Sequence, residues 1–447
     1  MARVTVVGGG FGGMATAARL AKLGHSVTLC ERAPRLGGAL GLVEQEGFAW
    51  DTGATGTTLP AVLRDLFRKS GRPLERALEL TPVTPARRHV FEDGTELDLA
   101  AGSRAAQVEA MTSALGQQAA VDWAEYVDSL APVWDLLRRR VLENPFPGCT
   151  ALDRETQRRL DPRRSLGRVV RRAFRDPRLQ TLLQHHVVMQ GSEPRDTPWF
   201  LAVESYVERT FGVWRPVGGM HALTTALCTR LEERGVDVRP ATEVTEIACV
   251  DGAVRTVALS AGSSLDADVV VGAIDPRRLF RLLVDCPQAR RPLRDVDRAV
   301  PAIPTTLTYL GLTDEAPSLP AETVLHSEAT TLVVRTGGQA PPGHVGWTVQ
   351  RRGNFEEDVP LALARRGIDV REHVVTRLDR SPADIVGDSD GSPFGVRWAG
   401  PRTATWRPNN RTPVGGLYCV GASAHPGPGV PLVGLGAALV AELVGRA

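Results

Sequence analysis

An apolar run, Val4 to Val7, leads without a break into Gly8, Gly10 and Gly13 at G-x-G-x-x-G spacing. A helix-patterned stretch follows, and a second apolar run, Val27 to Cys30, ends on Glu31. That order predicts strand, glycine turn, helix and strand, the opening of a parallel α/β sheet. Each glycine has its own task. Gly8 allows the tight turn, Gly10 lets the backbone approach a pyrophosphate, and Gly13 lets helix and strand pack closely. The pyrophosphate then meets the helix N-terminus, where free N–H groups and the helix dipole favour negative charge. Glu31 stands where a ribose would donate hydrogen bonds to it. A bare G-x-G-x-x-G says little; with strand, helix, strand and acid in order, it predicts a bound dinucleotide.

With 447 residues the chain has room for two or three domains around this start. A net charge of +2 and 5% aromatic residues, with no recognition module, argue against nucleic acid as a partner. Cys30, Cys149, Cys228, Cys249, Cys286 and Cys419 form no C-x-x-C pair and mostly sit in apolar stretches. They read as reduced thiols of a cytoplasmic protein. The first strand begins right after Met1-Ala2-Arg3, so no signal peptide is expected. The C-terminal apolar stretch, Val430 to Val444, is short and carries Glu442, so it does not read as a membrane span. The expected protein is soluble, or at most peripheral to the inner face of a membrane.

Along the chain, a helix is expected from about Pro60 to Ser70 and short strands from Leu78 to Leu99. Helical texture dominates from Arg104 to about Arg209, including a long amphipathic stretch around Val121 to Val141. Val244 to Cys249 and Val254 to Leu259 flank Asp251-Gly252, a strong hairpin signal. Ala267 to Gly272 reads as a buried strand. Mixed strands and a helix, about Pro360 to Arg377, occupy the region from Pro301 to Arg402, and a strand from Gly416 to Gly421 precedes the last apolar helix. The fold class expected is α/β: a Rossmann-type domain assembled from separated segments (1–75, 214–300 and 406–447), with an inserted mixed α+β substrate domain (76–213 and 301–405).

After Glu31 come Arg32-Ala33-Pro34-Arg35-Leu36-Gly37-Gly38, then Phe48-Ala49-Trp50-Asp51-Thr52-Gly53. A domain for NAD alone needs no second glycine pair at this distance. Over nearly its whole length the chain resembles the phytoene-desaturase-like FAD oxidoreductases of the flavin amine oxidase superfamily, in which that loop wraps the diphosphate. Trp214-Arg215-Pro216-Val217-Gly218-Gly219-Met220 looks like the family's P-x-G-G-M element, and Ala267 to Pro276 like its A-D-x-V-V-x-x-x-D-P run. The stretch Val420-Gly421-Ala422-Ser423-Ala424-His425-Pro426-Gly427-Pro428-Gly429-Val430-Pro431 resembles its closing signature. The resemblance implies FAD, held by Gly8, Gly10, Phe11, Gly12, Gly13, Glu31, Arg32, Gly37, Gly38 and Ala39. It adds Gly53, Ala54, Thr55 and Val244, and at the far end Gly421, Gly429, Val430 and Pro431.

Departures from the family pattern are Ala39 where arginine is common, Ala424 for a hydroxyl residue, and Leu432 and Gly434 in the last helix. Lysine occurs only at Lys22 and Lys69, early in the chain. That argues against amine oxidation through a lysine-held water near the flavin. What the family implies is dehydrogenation of an apolar metabolite, an isoprenoid or polyene, with hydride passing to flavin N5; with no second G-x-G-x-x-G in a strand–helix setting, oxygen or a quinone is the expected acceptor. A tailoring oxidase for a smaller molecule and a flavin-dependent isomerase or other non-redox FAD protein are the competing readings. Candidate catalytic residues are His425, Gln190, His185 and Trp214, with His186, Trp199 and Tyr206 as further pocket candidates. No metal site is expected: His185 and His186, adjacent on a helix, point apart, and no H-E-x-x-H spacing occurs. Ser423 with His425 lacks the G-x-S-x-G elbow of a hydrolase. The arginines from Arg138 to Arg178 alternate with Asp153, Glu155, Asp161 and Asp176, which reads as a solvated helical face before an anionic membrane contact.

Overall fold

A computed structural model describes residues 1–146, 152–327, 330–353, 357–389 and 391–447. Its central element is a parallel five-stranded sheet whose strands come from far apart in the chain. In spatial order they are Leu417–Cys419, Val269–Gly272, Arg3–Val7, Ser26–Cys30 and Asp237–Arg239. Strands buried on both faces are apolar nearly throughout. Val4, Val6, Leu29 and Val271 meet a helical layer that includes Phe11–Lys22, Pro60–Ser70, His221–Glu233 and Val430–Val444. Val7, Cys30 and Val270 meet the opposite layer, a four-stranded sheet built on the hairpin Val244–Val250 and Ala253–Leu259. At that hairpin Asp251 and Gly252 have φ of 52° and 75°, the left-handed pair that a two-residue turn of this twist requires.

The second body is a seven-stranded sheet faced by helices from residues 104–211. Five of its strands lie between Thr306 and Arg380, and two, Arg87–Val90 and Glu96–Leu99, come from much earlier in the chain. All its pairings are antiparallel except that of Glu322–Leu325 with Arg87–Val90.

Two local expectations are corrected. The helix expected over Pro360 to Arg377 covers only Val359–Ala364: Gly367, at φ 84°, turns the chain, and Val374–Arg380 is an edge strand paired with Thr306–Thr313. The stretch around Val121 to Val141 is not one helix but Gln117–Asp128 and Ala131–Leu137 followed by a wider turn over Arg138–Leu142. Pro132 lies in the first turn of the second helix, where its missing N–H costs nothing. Cys30, Cys228, Cys249, Cys286 and Cys419 are free thiols, and Cys149 lies outside the described residues.

Candidate active site

The glycines of the first turn divide the work as their spacing implies. Gly8 has φ of 105°, and a Cβ there would stand 2.8 Å from the Ala273 carbonyl oxygen. A Cβ on Gly13 would stand 2.0 Å from the Gly8 carbonyl oxygen, so helix and strand touch through backbone alone. Gly10 is different: a Cβ there meets no protein atom within 4 Å. Gly10 is also the N-cap of helix Phe11–Lys22 and supplies no side chain to cap it, so the N–H groups of the first turn are left for a ligand.

The second glycine pair is locked onto the first. Gly37 N–H donates to the Gly9 carbonyl at 3.0 Å, and a Cβ on Gly38 would lie 3.2 Å from the Gly10 Cα. Glu31 is ordered by backbone: Gly9 N–H donates to Oε2 at 2.6 Å and Ala33 N–H to Oε1 at 2.7 Å. Each carboxylate oxygen has lone-pair capacity left for a sugar hydroxyl. Asp51 joins two motifs distant in sequence by accepting the N–H groups of Met220 and His221, each at 2.9 Å, and so caps the helix that follows the glycine pair Gly218-Gly219.

Gly8, Gly10, Phe11, Gly12, Glu31, Arg32, Gly38, Ala39, Gly53, Ala54, Thr55, Val244, Gly421, Gly429 and Val430 all line one cavity of about 470 Å³. Gly13 and Gly37 lie behind that wall as packing and turn residues. At the far end Gly421, at φ 123°, again has open space where a Cβ would be, and Gly429 caps helix Val430–Val444 without a side-chain bond. Two uncapped helix N-termini and two open glycine cradles in one cavity fit a long diphosphate-bridged group such as FAD. Gly434, a departure from the family pattern, is a packing residue here: a Cβ on it would come within 2.6 Å of Val62.

A second cavity, of about 900 Å³, adjoins the first. Thr58, His186, Gln190, Phe394, Pro428 and Gly429 line both and mark the junction. Most of the second cavity's wall is apolar, with Trp134, Leu137, Val141, Phe200, Val207 and Trp398 among its lining. Pro431 and Leu432 face this space.

Of the candidate catalytic residues, Gln190 is at the junction, its amide 3.4 Å from Glu204 Oε2. His185 lines the first cavity, edge-on to His89 and His326. His425 lines the second. Its ring stacks on Phe146 with centroids 5.5 Å apart, and its Nε2 lies 3.0 Å and 3.1 Å from the Val141 and Asn144 carbonyls. Burial lowers its pKa to about 4, so near pH 7 it is a neutral N–H donor tying residues 141–144 to the closing loop. Trp214 lines neither cavity: its indole donates to the Phe211 carbonyl at 2.7 Å while its backbone pairs with Thr57 and Pro82. Trp199 and Tyr206 are likewise outside both linings and stack with Arg164 and Arg209.

A buried ionic chain across the first cavity was not anticipated. Arg87 bridges Glu208 and Glu322, each at 2.8 Å, and Glu322 also holds Arg335 at 2.9 Å. His186 Nε2 lies 3.4 Å from Glu208. Although burial pushes the other way, the Arg87 guanidinium and His186 hold the Glu208 carboxyl at about 2. Arg335 and Arg87 drive Glu322 far below the usual carboxylate range. His186 is raised against its own burial, chiefly by Glu208, and burial raises Glu204. No local sequence pattern marks this chain of charges: that Arg87 and His89 share the more buried face of their strand is visible only in the fold.

A family model for flavin containing amine oxidoreductase matches residues 11–347. Hydroxyneurosporene desaturase of Cereibacter sphaeroides is 30% identical over 99% of this chain and 97% of its own. The 4,4'-diapolycopene oxygenase of a Methylomonas species is 27% identical over 99% and 98%. Among solved structures, a wild-type putrescine oxidase bound to putrescine is similar with a TM-score of 0.72 at 17% identity, over 99% of each chain. An oxidoreductase of Methanosarcina mazei is similar with a TM-score of 0.66 at 18% identity, over 98% of this chain and 100% of its own. The chain therefore belongs to the flavin containing amine oxidoreductase family, as an FAD-dependent oxidoreductase of the phytoene-desaturase type.

Proposed function

We propose that the protein dehydrogenates an elongated apolar metabolite, an isoprenoid or polyene, with oxygen or a quinone as final electron acceptor. The observation that carries this reading is the 900 Å³ apolar cavity meeting the cofactor cavity at His186 and Gln190. Its size is at the upper end for small-molecule sites, and its aromatic and aliphatic wall excludes water from a bound chain. A bound flavin supplies a hydride acceptor at N5 of its ring. His186, Gln190 and Glu204 form the polar group of the junction and are placed to take up the proton released beside it. Neither Lys22 nor Lys69 lines either cavity, in keeping with chemistry other than lysine-assisted amine oxidation.

The test is anaerobic mixing of the holoenzyme with a panel of polyenes and of cyclic amines. Polyenes should bleach the visible flavin absorbance and emerge with one more double bond; bleaching by the amines alone would overturn the reading.

Substrates of this kind partition into membranes, and exposed Arg154, Arg158 and Arg402 line the edge of the apolar cavity. We therefore place the working enzyme at an anionic lipid surface. Among the described residues no helix is long and apolar enough to cross a membrane. Cosedimentation with phosphatidylglycerol vesicles, lost at high salt and absent with phosphatidylcholine vesicles, is the expected result. Equal behaviour toward both vesicle types would refute it.

A further inference from the structure

The first cavity ends, on the side of the seven-stranded sheet, in a wall unlike the apolar one beyond the junction. Gln350, 7% exposed, sits centrally on strand His344–Gly353 and lines this end, yet its carboxamide makes no hydrogen bond within the described residues. It faces the same space as His185, 8% exposed, whose ring nitrogens also make no hydrogen bond among the described residues. Arg335 lines it too: its Nε donates to Glu322, and its terminal nitrogens carry no bond to the described residues. Three largely buried side chains thus present unspent polar groups to one pocket. Largely buried side chains whose polar atoms open onto one cavity and find no partner among the described residues mark a place for a ligand.

The charge balance narrows the ligand. At this end Arg87 and Arg335 are matched by Glu208 and Glu322 along one chain of contacts, so these four charges sum to zero, and His186, which Glu208 raises, stands on the junction side of Glu208. Burial and the neighbouring Arg87 keep His185 neutral. A pocket with no net charge gains nothing from an anion or a cation that must be desolvated to enter. It suits a neutral oxygen. The Arg335 and Gln350 N–H groups donate to such an oxygen, and the Gln350 carbonyl accepts from it if it is a hydroxyl.

We infer that this pocket binds a hydroxyl or carbonyl oxygen at one end of the substrate, whose apolar remainder lies across the junction in the larger cavity. The inference rests on the apolar-chain reading above and adds that the chain is oxygenated rather than a plain hydrocarbon. A bare hydrocarbon end pushed past His186 and Gln190 would bury Arg335, Gln350 and His185 against carbon and leave their hydrogen bonds unmade. The oxygen anchors one end of the chain, so it also sets which bonds lie at the junction.

The probes are retinol, retinal and their deoxygenated hydrocarbon axerophtene, bound to the holoenzyme and followed by quenching of Trp134 and Trp398 in the apolar cavity. Retinol and retinal should each bind about tenfold more tightly than axerophtene, the effect of one or two added hydrogen bonds in a dry site. Preference for one of the two shows whether hydroxyl or carbonyl is the natural end. Gln350→Leu removes a side chain with no protein partner, so fold and FAD content should persist while the preference falls at least threefold. Arg335→Lys, which keeps the charge and loses the fork, should act in the same direction. Equal affinity for all three probes in the wild type overturns the inference and leaves the apolar-chain reading standing. Failure of every probe to bind overturns both. Loss of FAD from the Gln350→Leu protein would assign the polar groups to the cofactor, which also overturns it.

Discussion

Gly13→Ala is expected to destabilise the protein by about 3 kcal/mol and to abolish FAD retention. Gly10→Ala, three residues earlier, should fold normally and lose only cofactor affinity, by tenfold or more. The added methyl is the same in both. At Gly13 it would stand 2.0 Å from the Gly8 carbonyl oxygen, a backbone atom held by the sheet. Alanine is intrinsically the better helix residue by ~1 kcal/mol, but that gain is smaller than the cost of forcing helix Phe11–Lys22 off the strand. At Gly10 the methyl meets no protein atom and occupies space that opens on the cofactor cavity. Urea denaturation of the two proteins without flavin, with the flavin-to-protein absorbance ratio after purification, separates the effects. A Gly10→Ala protein as unstable as Gly13→Ala would refute this division of labour.

Arg87→Met should cost about 3 kcal/mol at neutral pH, because it leaves two buried carboxylates each short of a charge partner. Glu208 keeps His186 at 3.4 Å and Glu322 keeps Arg335 at 2.9 Å, which holds the cost near the lower end for a broken buried pair. The dependence on pH has a definite sign. In the native protein Glu208 titrates at about 2 and Glu322 is held far below its usual range by Arg335 and Arg87, both under the ordinary glutamate value. Their contribution is therefore full above about pH 4.5 and is lost as the pH falls toward 2. His326 and His425 titrate at about 4, and His89 and His185 well under the ordinary histidine value. Those neutral rings stabilise fully above about pH 6.5 and progressively less below it. His186, raised, works the other way and is lost as the pH rises through its native value. On balance the wild type should lose stability steadily from pH 7 to 4. The deficit of Arg87→Met should shrink over the same range, because protonating a carboxylate relieves its missing partner. Urea midpoints of both proteins at several pH values check this; a deficit that grows on acidification would sink it.

The cofactor half of the site was legible in the sequence for a physical reason. Its requirements are local: a positive φ at Gly8, no side chain at Gly10, and an acid at the end of the next strand are all written within a few residues. The substrate half was not. Arg87 and Glu322 are brought together by the pairing of strands far apart in the chain, Glu208 reaches them from helix Val203–Phe211, and nothing near any of them announces its partners. His425 and Trp214 were singled out for residue type and nearness to motifs, whereas the fold commits His425 to two carbonyls and Trp214 to a neighbouring turn. Gln350, an unremarkable residue of strand His344–Gly353, becomes conspicuous only when its amide is found without a partner among the described residues. The short helix Val359–Ala364 teaches the same lesson at a smaller scale: pairing with Thr306–Thr313 decides the state of Val374–Arg380, and helical periodicity does not.

The helix Val430–Val444 packs along Phe11–Lys22, with Gly12 set against Val433. Docking of Val430–Val444 covers an apolar face of Phe11–Lys22 and brings the Gly421 loop to the glycine-rich turn in the same act, so closing this layer and completing the cofactor cavity are one event.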